Sequence, residues 1–468
     1  MGVWVPTTTV AVVSDLAFRH EGERLASELG DRGVAAQVDE APGVALRVIL
    51  QVAAEDLATP ETATVVVDES TIVVTASAPV GIFRATRRIL AAFDETGSVP
   101  CGEFEVSPLV AERGLHIDAA RKYVDAEWMK DRIREAAAIG LNVIQWHFSE
   151  NEGFRLESEA FPQIVSEHRI TRDEAREILA LARDLYVEII PSLDMPGHLR
   201  KALASFPHLQ LPPADLAPDA EPLAIPDTGH ALNIALPEAL DFARELIDDF
   251  ADLFAGCRSW HLGGDEFVDF ARISEYPMLA EAAREKFGAD ANGFDLLTDF
   301  VNQIGAYVKS LGFTPRVWND GMLRGNVVGL DPDIVLTWWT NWHPDMRPVA
   351  DALEANYRIV NFNDSLFYYV LGENAGYRYP TAERIINANW HPGFFPQLPP
   401  RVSTSSNAMR TVDQTIQEIP TIGGAYPEQL VGAFFSIWAD RADAQTQEEV
   451  AAGIREPLRE FAARCWAS

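Results

Sequence analysis

Residues 112–148, ERGLHIDAARKYVDAEWMKDRIREAAAIGLNVIQWHF, decide the fold. The stretch opens on a short apolar run, ERGLHID (112–118), and crosses the amphipathic segment AEWMKDRIREAAAIG. It closes on a second apolar run, NVIQWHF (142–148). Short apolar strands alternating with amphipathic helices are the pattern of parallel strands buried on both faces. Downstream the pattern recurs in VEIIPSL (187–193), SWHLGG (259–264), PRVWN (315–319), IVLTWW (334–339), RIVNF (358–362) and GAFFSIW (432–438). Helical stretches between them include TRDEAREILALARDL, PEALDFARELIDDFADLF and FDLLTDFVNQIGAYVKSLG. In the first of these, Thr171 and Glu174 have the spacing of a capping box.

Eight buried strands, mostly separated by helices, predict a (β/α)8 TIM barrel. Only residues 320–333 separate the fifth run from the sixth, too few for a full crossover helix, so one helix of the barrel is degenerate. An open doubly wound sheet is the alternative. Residues 1–108 differ in texture. TATVVVD (62–68) and STIVVTAS (70–77) flank Glu69 as a tight hairpin, and PVGIFRATRRILAAF carries Ile82, Ala85, Ile89 and Leu90 at helical spacing. The expected organisation is a small α+β domain over 1–108, without a cluster of catalytic residue types, and a catalytic barrel over 109–468.

The 468 residues are 47% hydrophobic and 23% charged, a globular composition. The formal charge of −32 repels phosphate backbones and anionic membranes, so neither nucleic acid nor a membrane is expected as partner. Cys101, Cys257 and Cys465 are odd in number and far apart, which fits neither a disulfide framework nor a thiolate metal site. No apolar run reaches bilayer-spanning length, and MGVWVPTTTVAVVSD lacks the basic start and cleavage signature of a signal peptide. The chain as given reads as cytoplasmic, or as secreted if a leader has been trimmed.

Barrel chemistry sits at the carboxyl ends of the strands. Those ends carry Arg113, His116, Asp118 and Arg121; then Trp146, His147, Glu150 and Asn151; then Asp194 and His198 in DMPGH. Asp265-Glu266 follow Gly263-Gly264, and further on come Trp318, Asn319, Asp320, Trp338, Trp339, Asn361, Asp364, Tyr368, Tyr369, Trp438 and Asp440. Indole faces stack on the C–H face of a pyranose while carboxylates and amides take its hydroxyls. Tryptophans that merely cap the core would look the same one at a time; Trp318, Trp338 and Trp438 together point to a sugar. Two adjacent carboxyls in a compact glycine turn cannot both ionise easily, so one of the Asp265-Glu266 pair is expected to titrate high. The histidines offer a metal-hydrolase reading, but there is no HExxH or His-x-His pair, and no metal or other cofactor is expected.

ERGLHIDAARKYVDAEWMKDRIREAAAIGLNVIQWHFSENEGFRLE, IIPSLDMPGH and WHLGGDEF, in that order, resemble glycoside hydrolase family 20, the β-N-acetylhexosaminidases. The similarity spans about residues 110–440. It implies a retaining exo-β-N-acetylhexosaminidase acting on terminal β-linked GlcNAc or GalNAc, in which the substrate's 2-acetamido oxygen attacks C1 and forms an oxazolinium. The resemblance makes Glu266 the general acid/base and Asp265 the partner of the acetamido N–H. Arg113 would grip sugar hydroxyls, and Trp318, Trp338 and Trp438 would box the acetamido group. Tyr368, with Tyr369 one register away, would bond the acetamido oxygen; Asp440 would contact the O4/O6 side. His198 with Asp194 would support the acid pair. Two departures stand out: Glu150-Asn151 where many relatives carry Asp-Asp, and Tyr368-Tyr369-Val370 where Tyr-x-Asp is common, leaving Asp364 as a substitute. The 363–430 insertion, with Tyr377, Tyr379 and Trp390, would shape the leaving-group side. A sugar-binding protein without turnover is the rival from another class.

Overall fold

A computed structural model describes residues 2–39, 43–55, 57–217, 219–225, 229–341, 346–396 and 416–467. The chain forms two compact units, one of Met1–Leu109, Ala138–Gly140 and Cys465–Ser468, the other of Val110–Ala137 and Leu141–Arg464.

The first unit is a six-stranded sheet with helices Arg19–Asp31 and Pro79–Thr96. Its hairpin pairs Ala63–Val67 with Thr71–Ala76, and Asp68 Oδ1 closes the turn by accepting the backbone N–H groups of Ser70 and Thr71, both at 2.7 Å. Alternation along Thr71–Ala76 buries Ile72, Val74 and Ala76 in one core with Ile82, Ala85, Ile89 and Leu90 of the second helix. Trp466, from the far end of the chain, belongs to that core at 5% exposure, and Leu109 N–H donates to the Cys465 carbonyl at 2.9 Å.

The second unit is built on eight parallel strands: β1 (Glu112–Asp118), β2 (Val143–His147), β3 (Glu188–Met195), β4 (Ser259–Gly263), β5 (Thr314–Trp318), β6 (Val335–Trp338), β7 (Ile359–Asn361) and β8 (Leu430–Trp438). Neighbours pair in chain order, and β8 pairs with both β7 and β1, which closes the sheet into a barrel. An extra strand, Tyr368–Val370, adds to β8. Every apolar run read as a barrel strand forms one. The capping box is present, with Thr171 accepting Glu174 N–H at the start of helix Arg172–Asp184. Among the described residues no helix lies between β5 and β6, the shortened crossover that the spacing predicts.

The amino-terminal end of the barrel is sealed by packing and one ion pair. Gly114 in β1 has no room for a side chain, because a Cβ there would stand 2.1 Å from the Phe434 ring. Arg316 in β5 makes a two-pronged bond to Glu112, 2.7 Å and 2.6 Å, with Ser259 Oγ accepting a further N–H at 2.9 Å. Higher in the interior, His116, His147 and His261 pack with Trp318 and Trp438. Burial holds His116 and His261 well below the usual histidine range, with neighbouring cationic groups acting in the same direction. These two are neutral core groups.

Candidate active site

The carboxyl ends of the strands surround a cavity of about 370 Å³. Its acidic part is built by two turns. After β4 the chain runs Gly263-Gly264-Asp265-Glu266. Gly263 has φ of 78°, and a Cβ on it would meet Asp194 at 2.8 Å, so only glycine lets β4 end against the DMPGH loop. Glu266 and His198 hold left-handed backbone at φ of 40° and 55°. Such conformations in residues with side chains concentrate where the surrounding structure imposes them for a purpose.

His198 is central. Its Nδ1 stands 2.7 Å from Glu150 Oε1, and its Nε2 stands 3.4 Å from Asp265 Oδ2 and 3.5 Å from Glu266 Oε2. Burial disfavours the imidazolium, but Glu150 and Asp265 outweigh it and raise His198 well above the usual histidine range. Glu150 is the mirror case: burial opposes its charge, while Arg121 and His198 hold it well below the usual carboxylate range. Asp265 is pushed well up, by burial first and then by Asp194, Asp320 and Glu266, with His198 opposing. Asp320 is buried as well. Its Oδ2 accepts the Glu266 backbone N–H and its Oδ1 the Trp339 indole N–H, each at 3.1 Å.

Facing these acids is an aromatic wall. Trp318 lies 5.9 Å from Trp438 between ring centroids, Tyr368 lies 5.7 Å from Trp438, and Trp339 stacks parallel to Tyr368 at 6.0 Å. Tyr377 from the insertion adds a further ring, and its hydroxyl donates to Asp364 at 3.1 Å. On a third side Arg121 is gripped by Asp118 at 2.9 Å and Glu150 at 2.6 Å, and its guanidinium lies over the Trp438 ring. Asp440 completes that side and accepts an N–H from Asn374 at 3.1 Å.

Asp265, Glu266, His198, Trp318, Tyr368, Trp438 and Asp440 therefore share one cavity, as the strand-end reading expects. Two expected residues do not reach it. Arg113 is the second residue of β1, at the opposite end of the barrel, fully buried, with its guanidinium donating to the Val110 and Ala111 carbonyls at 2.9 Å and 3.2 Å. The arginine that lines the cavity is Arg121, past the end of β1. Trp338 turns away and donates its indole N–H to Asn341 at 3.0 Å, whereas Trp339 lines the cavity. Tyr368 rather than Tyr369 faces the cavity; the Tyr369 hydroxyl accepts from Gln445 and its ring stacks on Tyr379. Asp364 orients Tyr377 instead of lining the site. Trp390 is fully buried against Phe367 and Phe461, and residues 397–415 of the insertion lie outside the described residues. The direct partner of His198 is Glu150, and Asp194 lies one step further back, 3.6 Å from His147.

The family model for glycosyl hydrolase family 20, catalytic domain, matches residues 111–452. A lacto-N-biosidase of Bifidobacterium bifidum is 25% identical over 99% of this chain and 38% of its own length. A β-hexosaminidase of Vibrio furnissii is 26% identical over 58% of this chain and 47% of its own. The chain spans less than half the length of either relative. Among solved structures, an exo-β-N-acetylglucosaminidase of Vibrio harveyi with N-acetylglucosamine superposes with a TM-score of 0.74 at 20% identity, covering 100% of this chain and 71% of that one. A Streptomyces plicatus β-hexosaminidase with the product GlcNAc gives 0.70 at 18%, covering 100% and 88%.

Proposed function

Because the chain belongs to glycosyl hydrolase family 20, we propose that it is a retaining exo-β-N-acetylhexosaminidase, cleaving terminal β-linked N-acetylhexosamine with help from the substrate's own amide. The observation that carries the reading is the placement of Asp265 and Glu266 opposite the wall of Trp318, Trp339, Tyr368 and Trp438.

In this mechanism the aromatic rings fold the 2-acetamido group beneath C1. Its carbonyl oxygen attacks C1 as the glycosidic C–O bond breaks, and Glu266 gives its proton to the departing oxygen. The product is an oxazolinium bearing positive charge. Asp265 accepts the amide N–H, and the carboxyls of Asp265 and Asp440 line the cavity around the cation. Oxygen acceptors already fixed in place stabilise it without reorientation when it forms. Water then adds to C1, passes a proton to Glu266, and reopens the ring with net retention. Tyr368 is the donor to the acetamido oxygen. Arg121, replacing Arg113 in this role, takes the ring hydroxyls together with Asp440. Glu150 and His198 hold Glu266 in place.

The test is release of p-nitrophenol from its β-GlcNAc and β-GalNAc glycosides, with the β-glucoside as the comparison lacking the amide. Turnover of the first two, inhibition by a thiazoline analogue of the oxazolinium and failure on the glucoside support the reading; equal turnover of all three sinks it. A second reading, release of a disaccharide, is favoured by the alignment of 99% of this chain to 38% of a lacto-N-biosidase and by the exposure of Asp440, which leaves that side of the cavity unsealed. A p-nitrophenyl lacto-N-bioside cleaved faster than the monosaccharide glycosides would establish it.

A further inference from the structure

Asp320 follows β5 and is 5% exposed. Its two oxygens serve two different walls of the cavity. Oδ2 accepts the backbone N–H of Glu266, whose turn leaves β4, and Oδ1 accepts the indole N–H of Trp339, which follows β6. Trp339 in turn lies within 3° of parallel to the Tyr368 ring. Three separate strand ends are thus tied through one side chain. An ionised carboxylate can accept from both donors at once, whereas an amide has one acceptor oxygen and would set its NH2 against an N–H.

We propose that Asp320 is a positioning residue: it fixes the distance between the Glu266 carboxyl and the Trp339–Tyr368 wall, so that the proton reaches the glycosidic oxygen when the N-acyl arm is stacked. This rests on the hexosaminidase reading above. The left-handed backbone of Glu266 gives the contact its purpose, since that conformation needs an external anchor and the Asp320 bond is made at its N–H. The groups facing Asp320 are the Trp339 indole, Glu266 and Asp265, while Arg324 on its own loop donates to its backbone carbonyl. Burial raises the Asp320 carboxyl to about 6, the Glu266 charge adds to the rise, and the two N–H donors oppose it. Protonation in that range removes an acceptor and loosens the tie.

The experiment measures kcat and KM for p-nitrophenyl β-GlcNAc across pH 4–9 in the wild type, Asp320→Asn, Trp339→Phe and the double variant. The wild type should show kcat falling as pH drops through about 6. In Asp320→Asn, kcat should be about 10- to 100-fold lower on the plateau, with KM changed far less and the inflection near 6 gone. Trp339→Phe keeps a ring but not the N–H, and the double variant should be no worse than the poorer single. Wild-type kcat with the inflection intact in Asp320→Asn, or losses that simply add, overturns the proposal. If Asp320→Asn does not fold, as judged by its melting transition, Trp339→Phe decides alone: unchanged kcat refutes the tie. A wild type without turnover on any N-acetylhexosaminide overturns the hexosaminidase reading and this proposal with it.

Discussion

Oε1 of Glu150 lies 2.7 Å from Nδ1 of His198, and the same oxygen lies 2.6 Å from Nη2 of Arg121. One carboxylate oxygen therefore neutralises a cation on the proton-donor side of the cavity and a cation on the sugar-hydroxyl side. Breaking a buried pair by deleting one partner costs about 3–5 kcal/mol, because the other charge stays buried. Glu150→Gln should lose stability of that order, read from melting or denaturant curves. Glu150 is held low, so its contribution is present above its ordinary pKa near 4.5 and fades as pH falls below. His198 is held high, so its contribution is full below about 6.5 and fades as pH rises towards its raised folded value. The gap between wild type and variant should be widest from about pH 5 to 6.5 and narrow on both sides.

Arg121 and Arg113 act at opposite ends of the barrel. Arg121→Gln removes a charged donor from the cavity and should lower kcat/KM by about 10- to 100-fold. Arg113→Gln strips a donor from the buried Val110 carbonyl at the far end of the barrel, and should lower the melting temperature while the folded fraction keeps its kcat and KM.

The two adjacent indoles make a similar contrast. Trp339→Ala should weaken binding of a thiazoline inhibitor by more than about tenfold, since a stacked aromatic contact and the Asp320 bond are both lost. Trp338→Ala empties a buried site and should cost about 3–5 kcal/mol of stability, with inhibitor affinity of the folded protein largely retained.

Glu266→Gln cannot give up a proton, so kcat on p-nitrophenyl β-GlcNAc should fall by about 100- to 10,000-fold. A 2,4-dinitrophenyl leaving group needs less protonation and should recover part of the first step. Equal losses on both leaving groups would argue against the acid role.

Much of this arrangement was legible from the chain. Apolar runs of strand length, punctuated by amphipathic helices, located all eight barrel strands, because parallel strands covered on both faces have little polar content. Gly263-Gly264 before Asp265-Glu266 marked the turn where β4 meets the DMPGH loop. The errors have local causes. Arg113 is conspicuous beside Gly114, yet that glycine answers to the Phe434 ring and not to a ligand. The position of Arg121, past the carboxyl end of β1 rather than at its start, was the signal that favoured it. At Trp338-Trp339 consecutive side chains point to opposite sides, so a one-residue shift exchanges wall for core. Glu150 and Asp320 were visible as strand-end acids, but only coordinates reveal which donors a buried carboxylate meets.

Trp466 packs into the core otherwise built from Trp4–Val106, with the entire barrel encoded between them. During vectorial synthesis the amino-terminal sheet therefore emerges from the ribosome long before the indole that completes it. Until then that core lacks one of its large rings. A fragment stopped near residue 109 should melt higher when that indole is supplied, for instance by grafting the 465–468 segment through a short linker.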